Sequence, residues 1–212
     1  MNDTTWLNPF RYAERSLVRR HGPQGYTSPY RYKPWLRDEF QFRCAYCLCR
    51  ERWCPDGDDA FSVEHFHAQV LAPNEICEYD NLLYTCCRCN AAKQGVMGIL
   101  NPAEVPLAEH LEILSDGRIR GLTDQGWELI GVCQLARTKL TEFRRGIFEI
   151  LGVIQDLNEP ARRQILQRYF GFPVNLPRLA TLRPPGGNSR PQGIQSSFYE
   201  RRCRGDLPPF YW

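Results

Sequence analysis

Short β-forming runs and one long stretch of helical spacing divide the chain. Ala60–Phe66 (AFSVEHF) alternates apolar with polar positions and is rich in β-formers, which predicts a strand. Asn81–Thr85 (NLLYT) predicts a second short strand. Two alternating runs flank Asp116-Gly117, a dipeptide suited to a tight turn, and predict a β-hairpin. From Trp127 to Tyr169 apolar residues return at helical spacing (Leu135, Leu140, Phe143, Ile147, Ile150, Leu151, Ile154), which predicts two helices broken near Asn158–Pro160. KPWLRDEFQFR puts Pro34 at the start of a short helix that runs into Cys44. Pro55–Asp59 reads as a turn, Ala72–Glu75 opens a loop, and Asn90–Gly95 reads as one or two helical turns stopped by Gly95. The pattern fades at both ends. Residues 1–30 read as an irregular arm with a short helix near Tyr12–Arg19, and everything from Phe170 reads as a Pro/Arg-rich tail.

The elements predict an α+β fold in four segments: a basic arm (1–33), a core (34–100), a hairpin and helical extension (101–170) and a tail (171–212). Composition excludes other classes. The 212 residues are 42% hydrophobic and 24% charged, which fits neither a disordered chain nor a membrane protein. The sequence contains no run of 18 apolar residues and no apolar leader, so a cytoplasmic protein is expected, with no membrane as partner. The net charge of +3 is uneven. Residues 1–43 carry eight Arg or Lys against four Asp or Glu, and residues 171–212 carry six against two. Basic ends suit phosphate-binding arms. Base composition of a genome produces the same bias unaided, since 24 of the 27 basic residues are Arg.

Ten cysteines change the picture, because eight lie between Cys44 and Cys89. With thiols kept reduced, paired Cys-x-x-Cys spacing argues for metal rather than disulfides. Cys44-Ala-Tyr-Cys47 and Cys86-Cys-Arg-Cys89 each offer two thiolates to one tetrahedral zinc. The competing reading is two unrelated cysteine pairs in a core. Cys49, Cys54 and Cys87 offer alternative ligands, Cys77 and Cys133 read as core thiols, and Cys203 falls in the tail. The 38 residues between Cys47 and Cys86 exceed a zinc-ribbon gap, so they must hold structure of their own: the strand, loop and strand above.

Inside that frame Glu64 and His65 stand side by side on the first strand. In a flat strand they point to opposite faces, so a shared site requires the strand to end or bend there. Asn81 follows His65 by sixteen residues, Asn90 follows the last cysteine directly, and Lys93 lies one helical turn further. Asn90 is also in place to cap a helix. A site of these residues cleaves a phosphodiester on paper. Neutral His65 takes a proton near pH 7, one Mg²⁺ or Mn²⁺ on Glu64 and Asn90 acts as Lewis acid, and Lys93 and His67 offer phosphate contacts.

Over Cys44–Lys93 the sequence resembles the HNH (ββα-metal) endonucleases, in their branch with a four-cysteine zinc site. A weaker similarity through Asn101–Gly126 and the following LARTKL helix is to HNH proteins of bacterial Septu-type anti-phage systems, where the nuclease partners an ATPase. The resemblance implies a zinc-stapled ββα core acting on DNA, RNA not being excluded. It implies His65 as general base, Asn81 steadying the loop, Glu64 and Asn90 as ligands of the catalytic metal, and Cys44, Cys47, Cys86 and Cys89 as ligands of structural zinc. Two positions depart from the family. Glu64 stands where most members have Asp, and His67-Ala68-Gln69 replaces the usual proline after the histidine. The alternative is a non-catalytic zinc module that binds nucleic acid or a partner ATPase.

Overall fold

A computed structural model describes residues 8–211. The chain mixes helices with two small antiparallel sheets and divides into two compact units, each built from separate stretches of sequence. One joins Val18–Gly98 to Pro173–Pro208; the other joins the N-terminal segment through Leu17 to Ile99–Phe172 and the residues from Pro209. Among the described residues no helix is long and apolar enough to cross a membrane.

The unit containing Val18–Gly98 holds the predicted core. Helix α1 (Lys33–Glu39) opens with Pro34 in its first turn and buries Trp35 and Leu36 completely. Strand β1 (Phe61–His65) pairs antiparallel with β2 (Leu82–Cys86), in a register that sets Phe61 opposite Cys86 and His65 opposite Leu82. Every residue of β2 is buried, the polar Thr85 included, which fits a strand covered on both faces. Helix α2 (Cys87–Lys93) follows directly and ends at Gln94, which takes the left-handed conformation one residue before Gly95. Below the sheet Arg37 forks onto Glu51 (Nε–Oε1 2.9 Å, Nη2–Oε2 2.8 Å), and Tyr84 Oη donates to the same carboxylate at 2.7 Å.

The expected arm from Val18 onward and most of the expected tail, Pro173–Pro208, are parts of this unit. Two adjacent buried carboxylates, Asp38 and Glu39, gather them in. Glu39 accepts the backbone N–H groups of Arg20 (2.8 Å) and His21 (3.0 Å). Asp38 accepts from Arg20 Nη2 and His21 Nε2, each at 2.9 Å, and from the backbone N–H of Phe198 at 2.8 Å. Phe198 is buried and opens a further short helix, Phe198–Arg204, capped by the Ser197 side chain at Glu200 N and closed by Gly205 at φ +78°. Upstream, Gln24 N donates to Gly187 O and Gly186 N to Gln24 O, both at 2.9 Å. Gly25 (φ +81°) has no room for a side chain there, since a Cβ would come within 2.4 Å of Gly186 N. Within this unit Pro173–Pro208 is therefore not a loose tail. No helix forms near Tyr12–Arg19 either: those residues run without regular structure.

Several of the basic residues counted toward phosphate-binding arms bond within the chain. Arg19 Nη2 donates to the carbonyls of Leu82 (2.8 Å) and Asp80 (3.2 Å), Arg190 pairs with Asp80, Arg202 donates to the carbonyls of Pro173 and Val174, and Arg204 pairs with Asp206.

In the other unit the predicted hairpin forms, β3 (Leu111–Ile113) against β4 (Ile119–Gly121), with Gly117 at φ +84° in its turn. Gly117 is tightly confined, because a Cβ would lie 2.3 Å from Thr141 O. The helical stretch contains three helices rather than two: α3 (Asp124–Val132), α4 (Thr138–Val153) and α5 (Glu159–Phe170). The break near Asn158 is as expected, with the Asn158 side chain accepting from Ala161 N. The added break lies at Cys133–Arg137, where Gln134 turns left-handed (φ +50°). On α4 the buried face is Leu140, Arg144, Ile147 and Leu151, and the Arg144 guanidinium sits inside with one bond, Nη1 to Leu135 O at 2.9 Å.

Candidate metal centre and the His65 site

Four cysteines from two separate elements meet at one point. Cys44 and Cys47 lie on a tight reversal in which Cys44 N donates to Cys49 O (2.8 Å), Leu48 N donates to Cys44 O (3.1 Å) and Leu48 adopts φ +62°. Ala45 N donates to Tyr84 O (2.9 Å) and docks that reversal on β2. Cys86 ends β2 and Cys89 lies in the first turn of α2. All four thiols are buried, with their sulfur atoms within 4.8 Å of one another. The Cys47 and Cys86 sulfurs are 3.7 Å apart. Zn–S bonds of about 2.3 Å in a tetrahedron separate the sulfurs by about 3.8 Å, so the cluster has the size to hold a zinc ion. Hydrogen bonds from the neighbouring thiols, that of Cys44 first, hold the Cys47 thiol well below the ordinary thiol range, while burial pushes Cys44 well above it.

The other cysteines stand outside the cluster. Cys49 lies beside it and hydrogen-bonds Cys47. Cys54 is half-buried, with burial pushing its thiol up to about 11. Cys87 and Cys203 are exposed, Cys133 is a buried core thiol as expected, and Cys77 is half-buried rather than a core residue.

Glu64 and His65 part company at the end of β1. Glu64 is 4% exposed and meets Lys93 of α2, with Oε1 to Nζ at 2.7 Å. Burial raises its carboxyl against the opposing pull of the Lys93 charge and of hydrogen bonds from Lys93 and Tyr46. The Lys93 ammonium also donates to the carbonyls of Phe66 (2.9 Å) and His65 (3.2 Å) and lies 5.3 Å from the centre of the Phe66 ring. At 1% exposure Lys93 has no surface to offer a phosphate. Asn90 turns its amide to Ser62, Nδ2 to Oγ at 2.9 Å.

The His65 imidazole is half-buried among loop residues. Its Nε2 lies 2.9 Å from Ile76 O, and because a carbonyl only accepts, that nitrogen carries the proton. Nδ1 is left as the lone-pair nitrogen, with the Gln69 amide nitrogen 3.0 Å away. Burial, reinforced by the Lys93 charge, holds the ring below the ordinary pKa of 6.5. Asn81 secures the loop that supplies Ile76. Its Oδ1 accepts from His67 N (2.8 Å), and its Nδ2 donates to Glu75 O (3.2 Å) and His67 O (3.3 Å). His67 pairs with Glu75 at the surface, Nδ1 to Oε2 at 2.7 Å.

The fold thus brings the four cysteines together, sets Asn81 behind the His65 loop, and sends Glu64 to α2 rather than to His65. The set expected to hold Mg²⁺ or Mn²⁺ does not fit such an ion. The Glu64 carboxylate already faces an ammonium group, Asn90 is bonded to Ser62, and among the described residues the only grouping of three or more His, Cys, Asp or Glu ligands is the cysteine cluster. Ile76 and Gln69 had no signal in the sequence: one acts through its backbone carbonyl and the other is an ordinary loop residue. No protein-family model matches the chain, and neither does any curated protein.

Proposed function

We propose that the unit carrying β1, β2 and α2 is a zinc-stapled phosphodiesterase module that acts on DNA, with His65 as general base. The supporting observation is the His65–Ile76 hydrogen bond, which fixes the tautomer and leaves Nδ1 as the basic nitrogen, accepting from Gln69 Nε2 until a substrate water replaces it. Burial of the ring keeps it neutral at pH 7, the form a base requires. In the proposed step Nδ1 takes a proton from a water attacking phosphorus, a new P–O bond forms, and the bond to the 3′-oxygen breaks, that oxygen leaving as a hydroxyl with a proton taken from solvent water. Zinc on Cys44, Cys47, Cys86 and Cys89 holds the reversal at Cys44–Cys47 to β2 and α2, in a motif too small for a large core. A role in anti-phage defence beside an ATPase rests on the resemblance over Cys44–Lys93 and Asn101–Gly126 alone.

A second reading has its own observation. Glu64 faces the Lys93 ammonium and the Asn90 amide nitrogen donates to Ser62, so both residues expected to bind a catalytic metal have contacts within the protein, as a non-catalytic module for nucleic acid or a partner protein allows. Plasmid cleavage by the full chain separates the two. The nuclease reading expects nicked or linear product from the wild type and none from His65→Ala, with zinc content and DNA affinity unchanged. Equal behaviour of both proteins, with and without added divalent metal, selects the binding module.

A further inference from the structure

Three oxygens converge on the Lys93 ammonium: Glu64 Oε1 at 2.7 Å, Phe66 O at 2.9 Å and His65 O at 3.2 Å. Two N–H donors of the ammonium go to the carbonyls, and its charge pairs with the carboxylate. The Phe66 ring covers the group, and the side chain is shut off from solvent. One carboxylate and two carbonyls around a buried positive charge are the surroundings a hard cation seeks. A divalent ion bound by Glu64 Oε1 and the two carbonyls has to expel the ammonium, since both would occupy the same place. The two carbonyls belong to consecutive residues at the point where β1 ends, so the same contacts fix the backbone that carries the His65 ring.

We infer that Lys93 is the resident cation of this site: its ammonium stands where a divalent ion would bind Glu64 and, by holding the carbonyls of His65 and Phe66, positions the imidazole. Lys93 is a positioning residue here, since its ammonium is shut off from solvent and so from a substrate. The consequence for cleavage, activity that persists in EDTA while zinc is retained, rests on the reading of His65 as a base. The binding consequence does not.

The test is a titration of the zinc-loaded full chain with Mn²⁺, followed by electron paramagnetic resonance. Wild type is expected to bind no Mn²⁺ at Glu64, so its binding curve superimposes on that of Glu64→Gln. Lys93→Met is expected to gain one Mn²⁺ per chain and to lose it again in Lys93→Met/Glu64→Gln. The wild-type arm decides even if Lys93→Met folds poorly: stoichiometric Mn²⁺ binding that disappears in Glu64→Gln overturns the inference. A folded Lys93→Met that binds no Mn²⁺ also overturns it, because Glu64 is then no cation site. Inactivity of the wild type on every DNA leaves these outcomes unaffected and counts against the nuclease reading alone.

Discussion

His65 and Ile76 are joined by a hydrogen bond of 2.9 Å from imidazole Nε2 to a backbone carbonyl, across the loop between the two strands of the core sheet. The carbonyl selects the tautomer, and burial lowers the affinity of the ring for a second proton. A lowered histidine pKa means that the neutral form persists further into acid. The acid limb of the pH profile of cleavage is therefore expected to have its midpoint below 6.5, read from initial rates of plasmid nicking across pH 5 to 8. A midpoint above 6.5 removes His65 as the titrating base. His65→Ala is expected to lower the rate by about 10²–10⁴ at every pH, the usual loss for a general base.

The cysteine cluster is expected to carry one zinc per chain, measured by elemental analysis. Structural zinc contributes about 10–16 kcal/mol of folding free energy, against a whole-domain stability of about 5–15 kcal/mol. Cys44→Ser is accordingly expected to unfold this unit, and chelation to do the same reversibly. Cys49→Ser and Cys87→Ser are expected to keep the zinc, because neither sulfur belongs to the four-atom cluster. Zinc lost in Cys49→Ser and kept in Cys44→Ser would reverse the assignment.

Asn81 makes three hydrogen bonds to the loop beyond β1 and is 8% exposed. Asn81→Ala strands one N–H and two carbonyls, and leaving such a buried group unsatisfied costs about 1–3 kcal/mol. The variant is expected to fold with a lower denaturation midpoint and to cleave more slowly than wild type, but faster than His65→Ala. A midpoint equal to that of wild type would show that the loop holds without it.

The buried pair Glu64–Lys93 makes a separate forecast about pH. Removing one partner of a buried ion pair costs about 3–5 kcal/mol, so Lys93→Met is expected to be destabilised by that order at pH 7. Burial already raises the Glu64 carboxyl, and without Lys93 nothing nearby offsets it except Tyr46. The carboxyl is neutral once pH falls below its raised folded value, so the deficit of Lys93→Met shrinks toward acid and grows toward alkaline pH. Urea denaturation at pH 5 and pH 8 checks the sign. A deficit that is the same at both would mean that the carboxylate is not the cause.

Removal of residues 183–212 now carries a different expectation from the loss of a phosphate-binding arm. Phe198 is buried with its N–H on Asp38, and residues 186–188 bond to the segment at Gly22–Gln24. The truncated chain is expected to lose cooperative unfolding rather than to show a flatter salt dependence of DNA binding. Phe198→Ala alone is expected to cost about 3–5 kcal/mol, the usual range for a buried aromatic ring. A truncated protein as stable as wild type would restore the tail reading.

By itself the sequence determined what is local. The alternation in Ala60–Phe66, the apolar run after Asn81, the Asp116-Gly117 turn and the helical spacing near Leu140 each fix an element through contacts between near neighbours, and each element is present. The Cys-x-x-Cys spacings pointed to the four sulfurs that gather, because a thiol pair three positions apart on a turn or a helix start already points one way, while only packing left Cys49, Cys54 and Cys87 outside. Side-chain destinations over long separations were left open. Spacing is silent on a carbonyl, so it could not name Ile76 as the partner of His65. Alternation does set Glu64 and His65 on opposite faces, but only packing decides that the Glu64 face is filled by a lysine from α2 and not by a metal. The arginines of residues 1–43 and 171–212 read as arms for phosphate because a charge count does not tell which of them meet a carboxylate or carbonyl of the folded chain. Asp38 and Glu39, adjacent on α1 and shut off from water, must find donors or remain unpaired, and tertiary structure met that demand with Arg20, His21 and the N–H of Phe198.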